Sequence, residues 1–222
     1  MDKPRLGFVG TGFMGQCAHL QNYAQIDACE VVAIAEIRPE LGRLVAARYG
    51  VERVYTSHTD MLETEDLDGI VAAQPFWVHG VLLPDLFKKG IPVFTEKPLS
   101  CSVEAGERIL GELQQSDARH YLGYHKRSDP ASLAARQEIE RLKESGELGP
   151  LRYIRILMPA GDFIANGDNP LITTEEEAPD GARDPLPADM DEDTQHQYSS
   201  FVNYYIHQVN LMRFLLGEDY RV

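Results

Sequence analysis

The chain has 222 residues, of which 43% are hydrophobic and 25% are charged, so it is long enough for one large globular domain or two modest ones. Its formal net charge of −14 argues against a nucleic-acid partner, because phosphate binding requires clustered lysine and arginine. Three scattered cysteines without a Cys-x-x-Cys motif suit a reducing compartment. Neither a secretory signal nor a membrane-spanning apolar run is recognised, so we expect a cytoplasmic protein without a membrane partner.

Short apolar runs alternate with helical patterns through the first 120 residues. The runs predict strands at 6–10, 31–36, 69–73, 91–95 and 121–124, and a weaker strand near Val54. Apolar residues at helical spacing predict helices at 13–25, 39–49, 78–89 and 103–115. This alternation indicates an α/β fold with a parallel sheet covered on both faces.

The first predicted strand runs directly into a glycine-rich turn, Gly-x-Gly-x-x-Gly, that opens a helix. Gly10 permits the tight turn, Gly12 allows close approach of a diphosphate, and Gly15 lets the helix pack on the strand. Free N–H groups at the helix start, where Phe13 and Met14 lie, face the anion. The pattern predicts a Rossmann dinucleotide-binding domain.

The second predicted strand ends in a carboxylate, Glu36, which lies 21 residues beyond Gly15. An acidic side chain at this point accepts hydrogen bonds from the adenosine ribose hydroxyls. It also repels a 2′-phosphate, so NAD is favoured and NADP remains an alternative. Arg38 either binds that phosphate or is a solvated residue at the helix start.

The pattern changes after Tyr124. A helix is predicted at 130–144, a strand at 151–158, and another helix at 201–216. Between the last two lies an acidic stretch, at about 160–199, which we interpret as a solvated loop or a mobile lid. Its Asp189-x-Asp191-x-Asp193 resembles a calcium loop but lacks the glycine and the terminal glutamate, so no metal site is predicted.

Five motifs occur in the order typical of one oxidoreductase family. They are Gly10-Thr11-Gly12-Phe13-Met14-Gly15, Gln74-Pro75 with His79, Glu96-Lys97-Pro98, Gly123-Tyr124-His125-Lys126-Arg127-Ser128-Asp129-Pro130, and Gly146-Glu147-Leu148-Gly149-Pro150. On these motifs the chain resembles the Gfo/Idh/MocA (glucose–fructose oxidoreductase/inositol dehydrogenase) family across nearly all its length.

The resemblance implies a nicotinamide-dependent oxidoreductase that acts on a secondary alcohol or ketone of a sugar, cyclitol or related compound. The family's catalytic lysine matches Lys97, which also contacts the cofactor. A lysine ammonium can hydrogen-bond the reacting oxygen and move a proton if its pKa is lowered. Glu96 positions the nicotinamide ribose or Lys97, while Gln74 and Pro75 contribute to the cofactor site.

The family's second catalytic element is a helix with Asp-x-x-x-His-x-x-Asp, which here is matched by Asn203, His207 and Asn210. Their spacing places the three on one helix face, so His207 is the predicted partner of Lys97 in one cleft. Both aspartates are asparagines, which cannot take a proton. The other reading is a structural His207. His125 and Arg127 are predicted to bind substrate, or else form a charged turn between domains.

The resemblance thus gives a Rossmann domain at 1–123 and a partial α+β substrate domain at 124–222. Family members usually continue with more strands, so we expect an exposed apolar sheet face here and a homo-oligomer in a complete protein. The alternative function is a dinucleotide-binding remnant without turnover, or a regulatory relative that senses NAD(H).

Overall fold

The computed structural model describes residues 2–158 and 171–217. These residues fall into two compact units. The first comprises 2–122 together with 171–189, and the second comprises 123–158 together with 190–217. The described part of the predicted acidic loop is therefore divided between both units, rather than lying wholly in the second.

A six-stranded sheet forms the centre of the first unit. Its strands are β1 (Arg5–Val9), β2 (Glu30–Ala35), β3 (Arg53–Tyr55), β4 (Gly69–Ala72), β5 (Val93–Glu96) and β6 (His120–Gly123). They lie in the order β3-β2-β1-β4-β5-β6, with β1 parallel to both β2 and β4. The order reverses between β1 and β4, and ligands bind at such a point beyond the carboxyl ends of the strands.

Helices connect successive strands. They are α1 (the π-helical Gly15–Leu20 continued by Gln21–Tyr23), α2 (Pro39–Tyr49), α3 (His58–Thr64), α4 (His79–Phe87) and α5 (Val103–Gln114). Ser57 caps α3 and Ser102 caps α5, each accepting hydrogen bonds from N–H groups of the first turn. The predicted α/β fold is confirmed, although the short α3 was not predicted.

Alternate residues of the strands pack into two hydrophobic clusters. Val9, Ala33 and Ala72 belong to one cluster. Phe8 and Ile34 belong to the other. Since successive side chains of a strand point to opposite faces, both faces of the sheet are covered.

The second unit contains a 3-10 turn at His125–Ser128 and two helices, α6 (Pro130–Ser145) and α7 (Glu192–Leu216). Asp191 caps α7 by accepting a hydrogen bond from the Thr194 N–H. The predicted helix at 201–216 therefore begins nine residues early. Of the described helices, none is long and apolar enough to cross a membrane.

The predicted strand at 151–158 is wrong. The structure assigns these residues to no regular element, and no described strand lies beside them. A strand is stabilised by hydrogen bonds and side-chain contacts with a neighbour, so an apolar and basic pattern without a neighbour does not form one.

The described residues 171–189 form a largely exposed loop, in line with the solvated-loop interpretation, but three of them anchor the segment to the first unit. The Gln16 carboxamide donates to the Ile172 carbonyl and accepts from its N–H, both at 3.0 Å. Glu176 accepts from two N–H groups of α2. Asp184 is buried and accepts from the Gly80 N–H at 2.6 Å and from Arg108. Residues 160–170 of the predicted loop or lid lie outside the described residues.

Replacement of Asp184 tests this anchoring. Asp184→Ala removes a buried acceptor from the first turn of α4, which leaves the Gly80 N–H without its partner. We expect the free energy of unfolding to fall by about 2 kcal/mol, measured by urea denaturation. Asp189→Ala, at an exposed position of the same segment, is the matched control. Equal, small losses in both variants would show that Asp184 anchors nothing.

The exposed apolar side chains of the second unit give a second prediction. The described residues of the second unit form no apolar sheet face, but large apolar side chains among them are more than half exposed: Leu148, Tyr153, Leu157, Phe201, Tyr204 and Tyr205. Exposed apolar surface of this kind favours association. We expect these 222 residues to self-associate and to bind an apolar dye, measured by light scattering and dye fluorescence. A dispersed monomer with weak dye fluorescence would contradict this.

Candidate active site

The glycine-rich turn follows β1 at the carboxyl edge of the sheet. Gly10 has a φ of +86°, and a Cβ there would collide with the Gln74 carboxamide. A Cβ on Gly15 would lie 2.5 Å from the Gly10 carbonyl oxygen. A Cβ on Gly12, in contrast, would meet no atom within 4 Å. Gly10 and Gly15 are required by the fold itself, whereas Gly12 faces open space.

The N-terminus of α1 differs from those of its neighbours. Within the described part of the chain, no side chain caps it, and Phe13 and Met14 at its start are exposed. Uncapped N–H groups carry partial positive charge, and the open space at Gly12 lets an anion approach them. These residues therefore fit the diphosphate of a dinucleotide.

Glu36 is buried immediately after β2 and accepts four hydrogen bonds. Its Oε2 accepts from the N–H and hydroxyl of Thr11, both at 2.8 Å. Its Oε1 accepts from the Arg38 Nε at 2.7 Å and the Arg38 N–H at 3.2 Å. Burial alone raises the pKa of Glu36, but the bonds from Arg38 and Thr11 outweigh it, so the pKa is lowered. The carboxylate is ionised at neutral pH.

Arg38, for which the sequence left open a phosphate contact or a solvated position, pairs through its guanidinium with Glu36 in this structure. A carboxylate has about four acceptor positions. All four on Glu36 are occupied in this structure, so a ribose hydroxyl gains access to Glu36 only when Arg38 moves. The partly exposed Arg38 side chain leaves room for that movement.

Gln74 and Pro75 follow β4 at the same edge of the sheet. The Gln74 carboxamide lies against the Gly10 turn, and Pro75 begins the 3-10 turn Phe76–Val78. His79 opens α4 in full burial, with its Nδ1 2.9 Å from the Leu99 carbonyl oxygen. Burial lowers the pKa of His79, so it is a neutral structural residue.

Lys97 and Glu96 stand at the carboxyl end of β5. Burial lowers the pKa of Lys97, although the Glu96 charge opposes the change. Glu96 accepts from the Lys97 N–H at 3.1 Å, and its Oε1 lies 2.7 Å from His19 Nε2. Burial by itself raises the pKa of Glu96, yet the bond with His19 and the nearby charges lower it overall.

His19 was missed by sequence reasoning. It lies in the π-helical part of α1, 77 positions before Glu96, and fixes the Glu96 carboxylate beside Lys97. Nothing local marks it as a site residue, because a histidine in an amphipathic helix is ordinary. His19 could have been found only by asking which residue holds the partly buried Glu96 carboxylate at the end of β5.

Four of the five predicted substrate residues form two pairwise contacts within the second unit. The His125 and His207 rings meet edge to face, with centroids 5.0 Å apart. Arg127 Nε donates to the Asn210 Oδ1 at 2.7 Å. Asn203 lies two turns before Asn210 on the same helix. Lys97 belongs to the first unit and His207 to the second.

Comparison with known proteins identifies relatives whose sequences align with much of this chain. It is 25% identical over 215 residues to myo-inositol 2-dehydrogenase from Thermotoga maritima, which covers 97% of this chain and 55% of the relative. The chain thus spans about half the length of the curated relatives it matches.

Solved structures agree with the fold. Scyllo-inositol dehydrogenase from Lactobacillus casei, with bound NAD(H) and scyllo-inositol, is 27% identical at a TM-score of 0.59 and covers 67% of this chain and 43% of its own. A probable dehydrogenase from Thermotoga maritima has the same fold, with 21% identity, a TM-score of 0.65, and coverage of 97% and 56%.

Residues 4–124 match the oxidoreductase family Gfo/Idh/MocA, described as an NAD-binding Rossmann fold. That match spans more than half of the chain and includes the glycine turn, Glu36 and Lys97. The chain therefore belongs to the Gfo/Idh/MocA family and carries its NAD-binding Rossmann domain.

Proposed function

We propose that the chain provides the cofactor and proton-transfer sites of an NAD-dependent dehydrogenase that acts on a secondary alcohol or ketone of a sugar or cyclitol. One observation carries the proposal: the first unit combines an uncapped helix start at Gly12 with a partly buried Lys97, both at the carboxyl edge of one sheet. The similarity to inositol dehydrogenases supports the substrate class.

Different residues bind different parts of NAD in this proposal. The N–H groups at the start of α1, around Gly12, Phe13 and Met14, hold the diphosphate, and Glu36 accepts from the ribose hydroxyls once Arg38 has moved. Gln74 and Pro75 border the same edge. When bound, NAD supplies the carbon that accepts or returns the hydride.

Lys97 is the proposed proton-transfer group. Its lowered pKa makes the neutral amine accessible, so Nζ can take the hydroxyl proton as the alcohol is oxidised. In reduction, the ammonium returns the proton to the carbonyl oxygen. Glu96, held by His19, fixes the main chain at Lys97 through the N–H bond.

His207 is proposed as a second proton-transfer or orienting group, on the strength of the helix motif and the packing of its ring against His125. The Asn203 and Asn210 amides can bind substrate hydroxyls but cannot take a proton. The Arg127–Asn210 bond orients one of them.

A binding protein without turnover is the second candidate. It is favoured by the two asparagines that replace the motif's aspartates. One of these asparagines, Asn210, already accepts a hydrogen bond from Arg127. Steady NADH production from a panel of sugars and cyclitols separates the two functions. NAD binding without turnover on any member of the panel would favour the second candidate.

Glu36→Ala tests the ribose site. Loss of the carboxylate removes the acceptor for the ribose hydroxyls and frees Arg38, so NAD(H) affinity should fall and NADP(H) affinity should rise. Titration of cofactor fluorescence measures both dissociation constants. If the wild type already binds NADP(H) more tightly than NAD(H), Glu36 is not the selecting ligand.

Lys97→Met keeps the approximate side-chain length and removes the proton-transfer group. We expect turnover to fall by roughly 10²-fold or more, while NAD affinity changes little. Lys88→Met, on an exposed lysine paired with Asp85, is the matched control and should retain activity. Turnover by Lys97→Met equal to that of the control would exclude Lys97 from catalysis.

A further inference from the structure

A carboxylate from the acidic segment lies on the N-terminus of α2. Glu176 Oε1 accepts from the Glu40 N–H at 3.1 Å, and Oε2 accepts from the Leu41 N–H at 2.9 Å. The Thr174 hydroxyl also donates to Oε2, at 3.3 Å. Glu176 follows Glu40 by 136 positions, so a distant segment supplies this acceptor.

The segment is held in place by more than this carboxylate. The buried Gln16 carboxamide pairs with both main-chain groups of Ile172, and the Ile172 side chain packs against the hydrophobic cluster around Phe8. Two anchors four residues apart therefore fix residues 172 to 176 along the glycine turn and the start of α2.

Glu176 and Glu36 are also linked electrostatically by Arg38, the residue that precedes α2. Arg38 pairs with Glu36. Burial alone raises the pKa of Glu176, but the Glu40 and Leu41 N–H groups, Thr174 and the Arg38 charge lower it overall. Glu36 and Glu176 are thus two ionised carboxylates that both interact electrostatically with Arg38.

We propose that Glu176 is a second selectivity residue of the dinucleotide site, and that it excludes the 2′-phosphate of NADP. The inference rests on the proposed NAD-dependent function. In this fold the carboxylate after β2 binds the ribose 2′-hydroxyl. A phosphate on that hydroxyl would therefore lie beyond Glu36, towards Arg38 and the first turn of α2.

Without Glu176, the region around Arg38 and the first turn of α2 would attract a phosphate. It would combine two uncapped N–H groups, the positive end of a helix dipole and a guanidinium, which together suit an anion. Glu176 occupies both N–H groups and adds a negative charge. A phosphomonoester of about −1.5 to −2 charge would meet both a filled site and repulsion.

The test measures the affinity of adenosine 2′,5′-bisphosphate and of 5′-AMP by isothermal titration calorimetry, because these probes differ only in the 2′-phosphate. In Glu176→Ala we expect the bisphosphate to bind at least about tenfold more tightly, with little change for 5′-AMP. Glu176→Gln keeps an acceptor for α2 and should give a smaller gain in the same direction. Glu175→Ala and Glu177→Ala, at exposed neighbouring positions, are the controls.

The outcomes separate this inference from the proposed function. If Glu176→Ala and Glu176→Gln leave the ratio of the two affinities unchanged, or if the control variants raise it equally, Glu176 is only a helix cap and the inference is wrong. If the wild type binds neither NAD nor 5′-AMP, the proposed function fails and this inference fails with it.

Discussion

Each helix of the first unit needs a hydrogen-bond acceptor for its first N–H groups, and the architecture of the unit depends on where these acceptors come from. In a parallel sheet every helix begins near the carboxyl ends of the strands, where its first N–H groups have no partner within the helix. Serine side chains supply acceptors at α3 and α5, while Glu176 and Asp184 supply them at α2 and α4. Among the described residues, α1 has no such side chain. Within the described part of the first unit, the start of α1, where we propose that the diphosphate binds, is therefore the one helix start without a side-chain acceptor.

This constraint also explains the acidic stretch. Three of its carboxylates, Glu176, Asp184 and Asp191, accept hydrogen bonds at the N-termini of three different helices. A negative charge at that end is favoured by the helix dipole. The local concentration of acids thus serves folding at several points along the chain, and its sign matters because a basic segment could not cap these helices.

The sequence predicted most of the first unit, since the strand runs and the helix at 39–49 follow from local periodicity. It failed where the deciding contact is distant. Nothing near Glu176 shows that its partner is the helix after Glu36, and a run of acids reads as solvated. The strand expected at 151–158 failed for the opposite reason, because its local pattern was suitable but no described neighbour pairs with it. For the candidate site, the glycines and Glu36 could be found by spacing, whereas His19 and the occupation of Glu36 by Arg38 required coordinates.

The surroundings of Lys97 show how one lysine can be held ready for proton transfer. Two effects oppose each other, since burial favours the neutral amine and Glu96 favours the ammonium. Two histidines of this region are neutral, because burial lowers the pKa of His79 and lowers that of His120 to about 4, whereas His19 lies 2.7 Å from the Glu96 carboxylate. The bond with His19 helps to lower the pKa of Glu96, so its carboxylate is ionised, and the pKa of Lys97 is lowered in spite of that negative charge. Burial is the larger of the two effects, so a change that admits water around Lys97 would raise its pKa towards that of an ordinary lysine.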